Sequence, residues 1–263
     1  MRICRVVVED EPCFGVLEGV DDDGRALDDA MVALVSGTPF TQASADGRVL
    51  PLRDTRLLSP VVPSKILAVG RNYADHAKEM GNDVPKEPLI FLKPSTAVIG
   101  PGDPIRLPWQ SEQVEHEAEL AVVISRLCRN VTEETALDHV LGYTCANDVT
   151  ARDLQRSDGQ WSRAKGFDSF CPLGPWIETD VDLDDASITC SVNGTVRQRG
   201  VLGDMIFDVS RILVHISAVM TLLPGDVVLT GTPSGVGPLH SGDRVEVSID
   251  GIGVLSNPVV DRG

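Results

Sequence analysis

The hydrophobic rhythm of the chain changes near residue 65. Before that point, apolar positions come in short runs broken by polar turns. Residues 3–8 and 14–17 read as strands, followed by the turn Val20-Asp21-Asp22-Asp23-Gly24-Arg25. Such runs predict a hairpin-rich module, and its three consecutive aspartates suit a solvated turn. A proline-containing link, Leu58-Ser59-Pro60-Val61-Val62-Pro63-Ser64, leads out of it. Beyond it, apolar runs predict strands over 66–69, 89–92, 119–124, 141–145, 188–192, 227–229 and 244–249. Helical spacing predicts helices over 73–80, 133–139, 150–156 and 209–220. Strands outnumber helices and do not alternate with them regularly. The fold class expected is therefore α+β and strand-rich, with a small N-terminal β-rich domain over 1–60 and a larger domain over 61–263.

Composition narrows the partners. The 263 residues are 42% hydrophobic, enough for a sizeable core. They carry 39 acidic against 23 basic side chains, a net charge of −16. That balance disfavours nucleic acid and anionic membrane surfaces, and an anionic substrate needs local cations to approach. The six cysteines are scattered without a Cys-x-x-Cys pair, no apolar run reaches membrane-spanning length, and Met1-Arg2-Ile3-Cys4 does not open a signal peptide. A reduced, cytoplasmic protein with cysteines as packing residues is expected.

The candidate chemistry starts at His116-Glu117-Ala118-Glu119-Leu120. Alternation along a strand puts Glu117 and Glu119 on one side, about 7 Å apart, just where both faces turn apolar. A divalent cation would relieve their repulsion and desolvation, and hard oxygen ligands suit Mg²⁺, Mn²⁺ or Ca²⁺. A solvated strand end would need no cation. Asp148 lies where the run 141–145 gives way to the helix expected from Thr150, whose capping partner would be Asp153. It is either a third carboxylate for the same ion or simply a cap. Arg152 and Gln155, three apart, share a helical face, and an arginine there can fork a substrate carboxylate or pair with a surface acid. His76 and Glu79 have the same spacing. The carboxylate can orient the imidazole as a general base on a lid hinged at Gly70 and Gly81, or the two form a plain surface pair. The run Thr230-Gly231-Thr232-Pro233-Ser234-Gly235-Val236-Gly237 can offer backbone N–H groups to a small anion but lacks a phosphate-loop ending. Lys93 and Lys165 can add positive charge to that cleft or stand in solvent. Serine-hydrolase elbows and zinc motifs are absent from the sequence.

Taken in order, Gly70-Arg71-Asn72-Tyr73-Ala74-Asp75-His76, Phe91-Leu92-Lys93-Pro94, the Glu117/Glu119 run, Asn147 to Gln155, Lys165 and Gly231 to Gly237 resemble the fumarylacetoacetate hydrolase family over residues 60–260. The resemblance implies a mixed β-sandwich roll, usually a homodimer, with Mg²⁺ or Mn²⁺ held by Glu117, Glu119 and Asp148. It implies catalytic roles for His76, Glu79 and Lys165. Substrate contacts would come from Arg71, Tyr73, Lys93, Arg152, Gln155, Gly231 and Thr232. The segment Gly166-Phe167-Asp168 departs from the family's usual small polar residues after the lysine. The implied activity is a C–C bond hydrolase or decarboxylase for a small 2-oxo or β-diketo acid (an acylpyruvate, oxaloacetate or a fumarylacetoacetate-like diacid), working through a metal-stabilised enolate. An isomerase or decarboxylase acting on 2-hydroxyhepta-2,4-diene-1,7-dioate is the near alternative, and a non-catalytic metal- or metabolite-binding relative the distant one.

Overall fold

A computed structural model describes residues 1–21 and 24–261; Asp22 and Asp23 of the acidic turn lie outside them. The chain is strand-rich, built on mixed sheets that do not close into a barrel. The largest sheet runs, neighbour by neighbour, through Ser44–Pro51, Ala26–Ser36, Glu11–Val20, Arg2–Val8, Cys171–Glu178, Val140–Asn147, Ala118–Ile124, Val227–Leu229, Ile66–Gly70 and Leu89–Lys93. Its pairings along this path are antiparallel except Val227–Leu229 beside Ile66–Gly70. A second sheet holds Thr195–Val201, Ser187–Val192, Arg244–Ile249, Gly253–Asp261 and Ile105–Leu107. A small third sheet joins Thr150–Ala151, Val114–His116 and Gly237–Pro238.

The central strand Ala118–Ile124 is buried along its whole length. Leu120, Val122 and Ile124 pack in one core with Ile188, Val247 and Leu255 of the second sheet and with Ile212 and Ile216 of the helix Val209–Val219. Ala121 and Val123 point the other way, into a core with Ile66, Ala68, Leu173 and Leu229. Apolar burial on both faces, at about 25 cal/mol per Å² of surface removed from water, makes this strand a rigid base for whatever its mouth carries.

The N-terminal segment is a four-stranded meander, not the pair of short strands expected. Its first hairpin turns on Glu9 and Asp10, both at positive φ (52° and 65°), the backbone that matches strand twist in a two-residue turn. Arg2–Val8 pairs with Cys171–Glu178, so the meander continues the large sheet while packing its own core of Val6, Leu17, Val32 and Leu34 against Trp176. The helix expected over 150–156 runs instead over Arg152–Asp158. Thr150 belongs to the short strand before it and donates its hydroxyl to the Asp148 carbonyl (2.8 Å) instead of capping. The Asp153 carboxylate accepts from the Ser111 hydroxyl (2.5 Å) and from the Glu112 and Leu154 amides, tying the helix start to the preceding loop. Among the described residues no helix is long and apolar enough to cross a membrane. Five of the six cysteines are buried and all six are free; burial pushes the thiols of Cys4, Cys145, Cys171 and Cys190 up to about 12. The five buried ones are packing residues, with the Cys4 and Cys145 thiols donating to the Gly15 and Gly253 carbonyls.

Candidate active site

Glu117 sits at the break between Val114–His116 and Ala118–Ile124, directly across from the end of Val140–Asn147. Its carbonyl accepts from the Asp148 amide (2.8 Å), and its own amide donates to Asn147 Oδ1 (3.0 Å). These links bring three carboxylates together. One oxygen each of Glu117, Glu119 and Asp148 lies within 4.8 Å of the others, and all three residues are buried. The solvated strand end and the simple cap are therefore not what the fold builds.

Two lysines and an arginine share the cluster. Lys165 Nζ donates to Glu117 Oε2 (2.6 Å) and Asp148 Oδ2 (2.7 Å). Lys93, 1% exposed, donates from Nζ to Asp148 Oδ1 (2.6 Å) and to the Lys165 carbonyl. Neither lysine stands in solvent. Arg152 donates to Glu117 Oε1 (2.7 Å), to Glu115 Oε2 (2.8 Å) and to Gln155 Oε1 (2.7 Å). Its guanidinium thus braces two acids of this chain, and Gln155 anchors it from the next turn.

Charge within the cluster does not balance. With every group ionised, four carboxylates (Glu115, Glu117, Glu119, Asp148) face three cations (Lys93, Lys165, Arg152). Burial alone would raise the Glu117 carboxyl, but the Lys165 ammonium and the Arg152 guanidinium outweigh it and hold it well below the carboxylate range. For Glu119 the Lys165 charge and the Gly231 amide give relief that is outweighed. Burial first, then the Asp148 and Glu117 charges, push it well above the usual value. Among the described residues its carboxylate accepts one hydrogen bond, from the Gly231 amide (2.7 Å). Gly231 reaches it at φ +98°, with the Asn72 side chain so near that a Cβ would fall 2.7 Å from it. An all-oxygen, buried donor set within a cluster richer in acids than in cations fits Mg²⁺ or Mn²⁺ on the chemistry of its donors.

The triad floors a cleft of about 270 Å³, lined also by Arg71, His76, Phe91, Trp161, Lys165 and Thr232. His76 is on the short helix Ala74–Glu79, where Nδ1 lies 3.2 Å from Glu79 Oε2. Glu79 Oε1 in turn accepts from the Gly235 amide (3.0 Å), so the helix is tied to the glycine-rich run. With Nδ1–H held by a carboxylate, Nε2 is the nitrogen left with a free lone pair. Trp161 packs edge-on against Phe91 (5.1 Å between centroids), with Lys165 Nζ 5.3 Å from the Phe91 ring and Arg71 5.9 Å from the indole. Of the substrate contacts expected, Arg71, Arg152, Gln155 and Thr232 line the cleft. Tyr73 lines a neighbouring depression with Asp75, Arg199 and Asp204. Burial, then Glu119 and Asp204, raise the Tyr73 phenol. Lys93 and Gly231 act from beneath, on the carboxylates.

Several residues of the site were not anticipated. Glu115 extends the alternation of Glu117 and Glu119 by one step, a signal that was readable. Asn72 is buried, donating to the Phe207 and Thr230 carbonyls and accepting from the Phe207 amide, and so fixes the loop before His76. Burial lowers the His116 imidazole, whose Nε2 has no partner among the described residues. Trp161, Arg156 and Asn82 line the cleft from loops and helix ends where one sequence gives no cue.

Comparison with known proteins bears on this geometry. Residues 65–260 match the fumarylacetoacetate hydrolase C-terminal family, and residues 1–60 match an N-terminal family described as Rv2993c-like. An oxaloacetate tautomerase of Xenopus laevis is 46% identical over 85% of this chain and 74% of its own. An oxaloacetate decarboxylase of Dictyostelium discoideum is 45% identical over 72% and 89%. A solved structure named 5-carboxymethyl-2-hydroxymuconate delta-isomerase, from Mycobacterium smegmatis, superposes with a TM-score of 0.91 at 50% identity and covers both chains fully. A maleylpyruvate hydrolase of Sphingobium, solved with manganese and pyruvate, gives 0.79 at 32% identity, again with full coverage of both.

Proposed function

This chain belongs to the fumarylacetoacetate hydrolase family, and from that membership we propose that it is a Mg²⁺- or Mn²⁺-dependent enzyme cleaving or decarboxylating a small 2-oxo or β-diketo acid. The observation that carries the reading is the buried triad of Glu117, Glu119 and Asp148, which with Glu115 outnumbers its three cations by one, flooring a cleft that also holds His76 and Lys165. A divalent cation held by those three residues would supply Lewis-acid stabilisation of the enolate charge that develops as the C–C bond breaks. The chain's own groups do the rest. Lys165 keeps Glu117 and Asp148 in place and presents a protonated amine to developing charge, because Asp148 and Glu117 outweigh the burial that would otherwise neutralise it. His76, its Nδ1 bound to Glu79, can accept a proton from water at Nε2 for hydrolysis. Decarboxylation requires no such water. Thr232 and Arg71 suit an anionic end of the substrate. A cleft of about 270 Å³ favours a compact acid.

Two relatives named for oxaloacetate support a C4 diacid as substrate. The similar structure named for an isomerase supports a second reading, in which a 2-hydroxydienoate is reprotonated at a different carbon. A steady-state panel separates them: oxaloacetate (followed for both enol–keto exchange and CO₂ release), acetylpyruvate, fumarylacetoacetate and 2-hydroxyhepta-2,4-diene-1,7-dioate, each with and without Mg²⁺ or Mn²⁺. The reading predicts metal-dependent turnover of at least one 2-oxo acid. Turnover of the dienoate alone would transfer the assignment to the isomerase, and no turnover of any would remove the enzymatic reading. The same reading includes a cytoplasmic location, which cell fractionation tests, and a homodimer, which a solution mass measurement tests.

A further inference from the structure

Gln198 has no part in the chemistry assigned so far. It lies in the strand Thr195–Val201, fully buried between the exposed Arg197 and Arg199. Its amide makes four hydrogen bonds, the full capacity of a glutamine side chain. The Ala118 amide donates to Oε1 (3.0 Å), and Nε2 donates to the Pro233 carbonyl (2.8 Å). A backbone N–H only donates and a carbonyl only accepts, so these two contacts settle which end of the amide is which. The other two follow from them. His116 Nδ1 must donate to Oε1 (3.0 Å), and Thr232 Oγ1 must accept from Nε2 (2.7 Å). The Thr232 hydroxyl therefore takes a hydrogen bond from below and keeps its own proton for the cleft it lines. Ala118 stands between Glu117 and Glu119, so the same amide also joins the carboxylate-bearing strand to the glycine-rich run.

We propose that Gln198 is a positioning residue for substrate: it holds the Thr232 hydroxyl as a hydrogen-bond donor to an anionic oxygen, the carboxylate of a 2-oxo acid, at a fixed distance from the triad. The inference rests on the function proposed above and specifies how its substrate class is recognised. A hydroxyl whose proton is turned toward the cleft favours a carboxylate over a neutral carbonyl or hydroxyl, because hydrogen bonds to charged oxygens are the stronger ones.

Gln198→Glu tests it with almost no change of shape. The carboxylate still accepts from Ala118 and His116, but its second oxygen loses the bond to the Pro233 carbonyl, draws the Thr232 proton down and removes the donor from the cleft. The measurement is the affinity of Mn²⁺-loaded protein for pyruvate by titration calorimetry, with KM and kcat on oxaloacetate alongside, for wild type, Gln198→Glu, Thr232→Val and the double variant. Each single change should weaken pyruvate binding about 10- to 100-fold, with KM rising and kcat little altered. The double variant should be no weaker than Thr232→Val alone, since both act on one hydroxyl. Losses that multiply in the double variant, or a Gln198→Glu protein that binds pyruvate as tightly as wild type, overturn the proposal. Gln198→Met, carried in parallel with melting curves, removes the same donor without burying a new charge and should show the same coupling. If the coupling appears in binding while wild type turns over no 2-oxo acid, the proposed reaction fails and the role of Gln198 stands. A wild type that does not bind pyruvate at all refutes both.

Discussion

Replacing Lys93 by methionine measures how much the carboxylate cluster depends on its buried cations. Lys93 is one of three positive groups facing four negative ones, is 1% exposed, and donates to Asp148 Oδ1 at 2.6 Å. Methionine fills nearly the same stem volume, so the loss reports charge and hydrogen bonding more than packing. It leaves Asp148 with Lys165 alone and raises the excess from one negative charge to two. Removing one partner of a buried ion pair costs about 3–5 kcal/mol. In a chain of this size each kcal/mol moves Tm by about 2–4 °C, so metal-free Lys93→Met should melt about 6–20 °C below wild type. Added Mn²⁺ should recover more of Tm in the variant than it adds to wild type, because the cation supplies the charge the lysine no longer does. The assay is calorimetric melting of chelator-treated protein with and without Mn²⁺. A drop under about 2 °C, or equal metal-induced gains in the two proteins, would refute the charge argument.

Three further outcomes follow from the same geometry. His76→Ala should lower hydrolytic kcat about 10²–10⁴-fold while Mn²⁺ affinity stays within a few-fold; equal loss of both would end its assignment as base. Asp148→Asn removes one ligand charge, and should weaken Mn²⁺ binding at least about 10-fold and abolish most turnover; unchanged activity would exclude Asp148 from the metal site. The His116 imidazole is held below its ordinary value by burial. As pH falls from about 6.5, the unfolded chain takes up a proton that the folded imidazole refuses, so this contribution to stability is full above that value and declines below it. His116→Gln should flatten that part of the Tm profile between about pH 7 and about pH 5, and an unaltered slope would contradict the burial argument.

How much of this the sequence disclosed differs by element. The strand 119–124 was legible because its apolar run is continuous, and Glu117 and Glu119 stood out against it. The helix 209–220 and the strands 66–69, 89–92, 188–192, 227–229 and 244–249 carried equally clear runs, and each lies within about a residue of its observed counterpart. Cys171–Glu178 was missed because Pro172, Gly174 and Pro175 interrupt it, although it pairs with both Arg2–Val8 and Val140–Asn147. Ala26–Ser36 and Ser44–Pro51 were missed because Asp28, Asp29 and Asp46 break the alternation on strands with exposed stretches. The helix from Thr150 was placed two residues early because a local capping pattern read as a start signal, while Asp153 was committed to a distant loop. At the candidate site, the sequence singles out most of the residues that the fold gathers around the cleft, but not their partners. Nothing in the spacing shows that Arg152 braces Glu115 and Glu117, that Lys93 reaches Asp148 across 55 positions, or that Gln198 meets Thr232 and Ala118. Those contacts join segments far apart in the chain, and only tertiary packing creates them.

The central claim is that Glu117, Glu119 and Asp148 hold a divalent cation on which turnover of a 2-oxo acid depends. Titrating Mn²⁺ back into chelator-stripped protein, with oxaloacetate turnover and metal occupancy followed on the same samples, addresses it most directly. The account predicts negligible turnover at zero metal and a saturable recovery that tracks occupancy to one ion per chain. Full turnover in the stripped protein, or recovery that does not follow occupancy, would contradict it.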